Sequence, residues 1–234
     1  MASSVAPSSV QIRCKGILFD MDGILISSIG SVERSWTKWA GLHGLDPVEV
    51  LKVVHGRRSV ETIAVLCPDL DAEEENQVIE KLEIDDTEGV RALPGVHALL
   101  RSLPAGRWTV VTSATEPLAR VRLAAGGIRV PASMVTAESV KEGKPSPAPY
   151  LAGAALLGLA PEECIVFEDA ASGVQSGRAA GCTVVATTFS HTADALRAAH
   201  YLIADLTGVT AKATPANDGI ALHFTPLAEL NTQG

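Results

Sequence analysis

The sequence predicts an α/β fold: a doubly wound parallel sheet, interrupted early by an inserted all-helical domain. Three observations carry this. Short apolar runs alternate with helical patterns along most of the chain, residues 30–88 show helical patterns alone, and carboxylates or hydroxyls stand just beyond the apolar runs. Strands alternating with helices pack as a parallel sheet covered on both faces. Ligands of such sheets bind beyond the carboxyl ends of the strands, so chemistry is sought there. A chain of 234 residues with 47% apolar content is long enough for one such core and a smaller insert.

Taken in order, residues 1–11 have no basic cluster and no long apolar block, and are expected to form a flexible N-terminal tail. Lys15 to Asp20 (KGILFD) is an apolar run ending abruptly at carboxylates and Gly23, the pattern of a buried parallel strand that stops at a functional loop. Helical patterns follow over 31–42, 47–54, 59–66 and 72–84, with Pro47 and Pro68 as punctuation. Val32, Trp36, Trp39 and Ala40 share one stripe of the first, which reads as packing in preference to a stacking platform for a sugar. The insert thus spans 30–88 and the core comprises 12–29 and 89–210, with the return near Leu93-Pro94-Gly95. Two short linkers join the units and are candidate hinges. WTVVT from Trp108, CIVF from Cys164, TVVAT from Thr183 and YLIA from Tyr201 read as further strands. Helices are expected near 95–102, 115–125, 147–158, 172–180 and 192–199, and residues 211–234 receive no role.

Charge narrows the function. The net charge is −8, and residues 30–88 account for all of it, with 6 Lys/Arg against 14 Asp/Glu, while the remainder holds 13 of each. A concentrated acidic surface argues against a nucleic-acid partner, whose binding depends on clustered Lys and Arg. No stretch approaches the roughly 18 uncharged apolar residues of a membrane span. Cys14, Cys67, Cys164 and Cys182 form no CxxC pair, which favours reduced thiols in a cytoplasmic protein.

The strand ends supply Asp20 and Asp22, then Ser113, then Lys144 in a loop, then Glu168 with Asp169. Each has an ordinary explanation alone: Asp-x-Asp-Gly as a turn, Ser113 as a helix cap, Lys144 as a solvated charge, Glu168-Asp169 as a helix start. Together they are harder to dismiss. Four carboxylates converging at one sheet edge repel unless a cation sits among them. Hard oxygen donors without a His or Cys cluster suit Mg2+, which bridges a carboxylate and a phosphate oxygen. A carboxylate serves as nucleophile through an aspartyl-phosphate, and a lysine with a hydroxyl can neutralise the phosphoryl oxygens.

FDMDGILIS, VVTSAT, KEGKPSPAPY and VFEDAASGV, in this order, resemble the four motifs of the haloacid dehalogenase superfamily, specifically its phosphatase and phosphomutase branch with a small helical cap. The resemblance covers roughly residues 12–206 and implies a Rossmann-like core with residues 30–88 as the cap. The stretch from Val140 to Ala186 is similar to phosphatases of sugar and polyol phosphates, including glycerol-phosphate and 2-deoxyglucose-phosphate phosphatases. It implies Asp20 as nucleophile, Asp22 as general acid and base with its main-chain carbonyl on the metal, and Ser113, the backbone of Ala114 and Lys144 as phosphate holders. It also implies Asp169 as a side-chain metal ligand, Asp20 as another, and Glu168 as a further ligand or a partner of the ligands. The substrate is then a small phosphorylated metabolite; apart from the resemblance, a monomer is the default expectation. Two positions depart from the motif: Ile24 stands where Thr is usual, and Ser27 where Asp is common.

His55-Gly56-Arg57-Arg58 is the insert's one cluster of positive charge. It reads equally as a solvated turn, but in capped relatives the corresponding loop contacts the substrate beyond the phosphoryl group, with Arg57 or Arg58 reaching in. The rival reading is a phosphosugar mutase similar to β-phosphoglucomutase, which shares the core residues. That enzyme carries a His where this chain has Val32, which favours a hydrolase. A dehalogenase would lack Asp22. A catalytically silent binding module on the same fold is the alternative of another class, and the intact Asp20, Asp22, Lys144 and Asp169 argue against it.

Overall fold

The computed structural model describes residues 9–54, 58–214 and 218–229. The chain enters as β1 (Val10–Cys14) and β2 (Gly16–Phe19), then passes a two-residue strand, β3 (Ile26–Ser27). Four helices follow: α1 (Ile29–Leu42), α2 (Pro47–Leu51), α3 (Ser59–Leu66) and α4 (Ala72–Asp85). The return runs through β4 (Arg91–Ala92) into α5 (Val96–Ser102), β5 (Trp108–Val110), α6 (Glu116–Ala125) and α7 (Ala148–Leu156). Next come β6 (Cys164–Glu168), α8 (Ala171–Ala179), β7 (Thr183–Thr187) and β8 (Tyr201–Ile203). The last described strands are β9 (Thr210–Ala213), β10 (Ile220–Phe224) and β11 (Ala228–Glu229).

The main sheet has the order β11-β8-β7-β6-β2-β5, parallel throughout except at β11. Its strands are apolar on both faces because helices cover both. Ile17, Phe19, Ile165, Phe167 and Val185 enter one core cluster, while the intervening Leu18, Val166 and Val184 enter the other. Phe19 and Phe167, paired in register, stack at 5.3 Å. The chain moves from β2 to β5 on one side and then crosses to β6 on the other. The order therefore reverses at β2, which places the crevice for a ligand directly beyond Phe19.

The helical insert has its own core of Trp36, Trp39, Ala40, Val50, Val54, Ile63 and Ile79. The two tryptophans pack edge to face at 5.4 Å, as the apolar stripe predicts. Asp46 and Asp71 cap α2 and α4 by accepting from main-chain N–H groups, and Glu73, Glu74 and Glu75 fill the first turn of α4, where the helix dipole favours them. At the root of the insert the two linkers pair as β3 and β4, with Ile26 opposite Ala92. Arg34 grips Asp86 there with two donors, at 2.7 and 2.8 Å. Among the described residues, no helix is long and apolar enough to cross a membrane.

Three expectations need correction. Val10 and Gln11 do not belong to a loose tail: they open β1, held by antiparallel pairing with Phe224 and His223. Of the segment 211–234, left without a role, the described residues 211–214 and 218–229 supply most of a second sheet of order β1-β10-β9 and an edge strand, β11, to the first. Ile220, Leu222 and Phe224 of β10 point into the main core, so this segment seals one end of it. Residues 192–199 form consecutive turns, with Ala195 bonded to Thr192 and Ala199 to Leu196, and not a helix. A run this short scarcely offsets helix nucleation, and burial of Leu196 and Ala199 pins it instead.

Candidate active site

Asp20 follows the last residue of β2, and its N–H donates to the Phe167 carbonyl of β6, so the backbone ladder itself fixes it at the sheet edge. The next residues turn sharply: Leu25 and Ile26 both donate to the Met21 carbonyl, and Gly23 adopts φ +86. A side chain on Gly23 would overlap the Asp169 carboxylate, so glycine is required here both for the turn and for the approach.

Lys144 reaches from its loop to donate to Oδ1 of Asp20 at 2.5 Å and Oε1 of Glu168 at 2.6 Å. Glu168 is fully buried, and both its oxygens are occupied. Oε1 also accepts from the Tyr150 hydroxyl at 2.8 Å, and Oε2 accepts from the main-chain N–H groups of Asp169 and Ala170. Gly173 makes room for that carboxylate, since a Cβ there would collide with it. Asp169 accepts from the Ser190 hydroxyl at 2.5 Å. Asp20, Glu168 and Asp169 each bring an oxygen within 4.8 Å of the others, an all-oxygen cluster of the kind that suits a hard divalent cation.

Crowding of carboxylates shows in their proton affinity. Burial, reinforced by the charges of Glu168 and Asp169 and opposed by Lys144, raises the Asp20 carboxyl well above its usual range. Burial and the Glu168 charge push Asp169 up to about 7. For Lys144, burial works against the charge, but Asp20 and Glu168 outweigh it and hold the ammonium above its ordinary value.

Asp22 lines the same crevice. It accepts from the Ser28 hydroxyl and from Nη1 of Arg122, which stands 3.3 and 3.2 Å from its two carboxylate oxygens. Thr112 accepts from the Ala114 N–H, shaping the turn after β5, and leaves Ser113 lining the cavity. The cavity, about 120 Å³, is walled by all of these and, from the insert, by Val32, Trp36, Val54 and Glu83.

The structure therefore brings Asp20, Asp22, Ser113, Ala114, Lys144, Glu168 and Asp169 to one cavity. His55, Gly56 and Arg57 lie outside the described residues. Arg58 borders a second cavity, of about 210 Å³, where its guanidinium donates to the carbonyls of Val140 at 2.9 Å and Lys141 at 3.2 Å. It thus ties the insert to the loop leading to Lys144. Thr115 makes a second tie, donating to Glu80 at 2.6 Å. Sequence reasoning missed Ser28, Glu83, Arg122, Tyr150 and Ser190. Only Ser190 carried a signal, since it stands three residues after the TVVAT run, in the loop beyond a strand end.

The family model for haloacid dehalogenase-like hydrolases matches residues 14–181. The chain belongs to the haloacid dehalogenase-like hydrolase family. Within it, the chain is 44% identical to hexitol phosphatase A of Escherichia coli, over 89% of this chain and 99% of that protein. It is 35% identical to glycerol-1-phosphate phosphohydrolase 2 of Saccharomyces cerevisiae, covering 81% of this chain and 80% of that one. Among solved structures, the fold matches a hydrolase from Pseudomonas syringae with a TM-score of 0.75 at 24% identity, covering 82% of this chain and 94% of that one. It also matches a β-phosphoglucomutase from Clostridium difficile with a TM-score of 0.71 at 19% identity, covering 83% and 92%. The chain is thus a hydrolase with the parallel core of this family and an inserted helical cap.

Proposed function

We propose that this enzyme hydrolyses small phosphomonoesters, sugar or polyol phosphates, through a phosphoaspartate on Asp20 and with the help of Mg2+. The observation that carries this reading is the buried cluster of Asp20, Glu168 and Asp169 with Lys144 set into it. The likeness to hexitol and glycerol phosphatases supports the substrate class.

Asp20 and Asp169, with the main-chain carbonyl of Asp22, would hold the cation. Glu168 has no oxygen to spare and serves to position Lys144. When bound, the cation neutralises phosphate and carboxylate charge and orients the phosphoryl group. A carboxylate oxygen of Asp20 attacks phosphorus, the bond to the ester oxygen breaks, and Asp22 gives its proton to the leaving alkoxide. Asp22 then takes a proton from water as that water attacks the phosphoaspartate, releasing inorganic phosphate and free Asp20. Lys144 stays beside the phosphoryl oxygens throughout and offsets the charge that develops on them. Val32, which lines the cavity, offers no proton-carrying group where the mutase has one, and this supports hydrolysis.

The test is release of phosphate from hexose, pentose, polyol and nucleotide monophosphates with and without magnesium, with isomerisation of β-glucose 1-phosphate followed separately. Magnesium-dependent release that vanishes in Asp20→Asn is the expected result. Isomerisation without release would establish the mutase instead, and silence on every substrate would leave a binding module.

A further inference from the structure

We infer that Glu83 and Arg122 form a subsite for the hydroxyl group vicinal to the phosphoester, so that the enzyme selects polyhydroxylated alkyl phosphates over plain ones. This rests on the phosphatase reading and names what that site selects. Arg122 of α6 and Glu83 of α4 are each 4% exposed, and both wall the catalytic cavity, one from the core and one from the cap. Their pairing is incomplete. Nη2 of Arg122 makes a long ion pair with Oε1 of Glu83, at 3.4 Å, and among the described residues Nε of Arg122 has no hydrogen-bond acceptor. Buried charged donors without acceptors are costly, and such groups in a functional cavity point to an acceptor brought by a ligand.

The chemistry of that ligand follows from the pair. Nη1 of Arg122 already serves Asp22, the group assigned to the ester oxygen, so the other N–H groups lie one step further along the substrate. A hydroxyl seated beside the pair suits it, because it accepts from the guanidinium and donates to the carboxylate. A second phosphate would be repelled by Glu83, and an aliphatic carbon would leave Nε of Arg122 unsatisfied. Glu83 stands on the cap and Arg122 on the core, so the seating of the cap sets whether one hydroxyl can meet both.

The test compares kcat/KM for propyl, 2-hydroxypropyl and 3-hydroxypropyl phosphates, with magnesium, on the full chain and on Glu83→Gln, Arg122→Lys and the double variant. The parent is expected to prefer 2-hydroxypropyl over propyl phosphate by on the order of 10²-fold. Either substitution should shrink this preference at least about tenfold, and the double variant should go little further, because the two residues act on one hydroxyl. Each ratio is taken on one protein, so a general loss of active enzyme cancels. An unchanged ratio in Glu83→Gln, the isosteric change, overturns the inference while leaving the phosphatase intact, as does a parent that ignores the 2-hydroxyl. No magnesium-dependent release from any of the three esters or from glycerol 1-phosphate overturns the phosphatase reading and the subsite with it.

Discussion

Lys144 donates to Oδ1 of Asp20 at 2.5 Å while its other close partner, Glu168, is held from behind by Tyr150. The ammonium is therefore fixed by a carboxylate whose other hydrogen bonds come from Tyr150 and two main-chain N–H groups, and Asp20, the proposed nucleophile, is paired with that ammonium. Removing the fixing carboxylate is expected to be expensive. Glu168→Ala breaks a buried ion pair and should cost about 3–5 kcal/mol, whereas Tyr150→Phe, which deletes one hydrogen bond, should cost about 1–3 kcal/mol. Urea unfolding of the two variants checks the order, and equal costs would refute the assignment of Glu168 as the anchor.

Asp20→Asn should reduce turnover by at least about 10³-fold, since the proposed nucleophile is removed outright. Its stability should not fall. Burial penalises the ionised Asp20 carboxyl, and an amide carries no such penalty. A melting temperature of the metal-free variant well below that of the parent would contradict this balance.

Magnesium stabilisation should grow with pH. The Asp169 carboxyl, pushed up to about 7 in the folded protein, favours the fold in its protonated form, and this contribution fades as pH rises through about 7. A bound cation replaces the proton, so the melting temperature gained from magnesium should be larger at pH 8 than at pH 5.5. A gain that is flat or larger at the lower pH would exclude Asp169 from the cation site.

Gly23→Ala places a methyl group against the Asp169 carboxylate at a backbone with φ +86. The strain alone should cost roughly 1–2 kcal/mol, and displacement of Asp169 should weaken the response to magnesium. Titration of activity against magnesium reads this directly, and an unaltered half-saturation point would show that Asp169 tolerates the shift.

Arg58→Ala should raise KM by roughly three- to tenfold with kcat less affected, because it removes charge-assisted bonds from the cap to the carbonyls of Val140 and Lys141. If Arg58 touched substrate instead, its loss would change the ranking of substrates. Kinetics on two polyol phosphates of different length distinguish these outcomes.

Strand ends were the legible part of the site. Asp20, Ser113, Glu168 and Asp169 each follow an apolar run that can only be a buried strand, so their convergence needed no knowledge of which helix packs where. The same rule applied to TVVAT points to the loop 188–190, which holds Ser190 three residues past the strand. Arg122 and Tyr150 lie inside α6 and α7, where one side chain in three or four faces inward, and nothing local says which cavity it meets. The strand β10 shows clean alternation in IALHF, but its partner β1 lies some two hundred residues earlier, and pairing across that distance leaves no local mark.

The sequence by itself determined the parallel sheet, the inserted helical cap and the set of carboxylates at one sheet edge. These follow from hydrophobic periodicity and chain order, which are local properties. Only the tertiary structure decided that Glu168 spends both oxygens on Lys144, Tyr150 and two N–H groups, that Arg58 grips the core loop, and that Glu83 and Arg122 meet across the domains. Whether a buried charge binds a ligand or props a neighbour depends on which distant groups fill its hydrogen-bonding positions, and packing alone brings those groups to it.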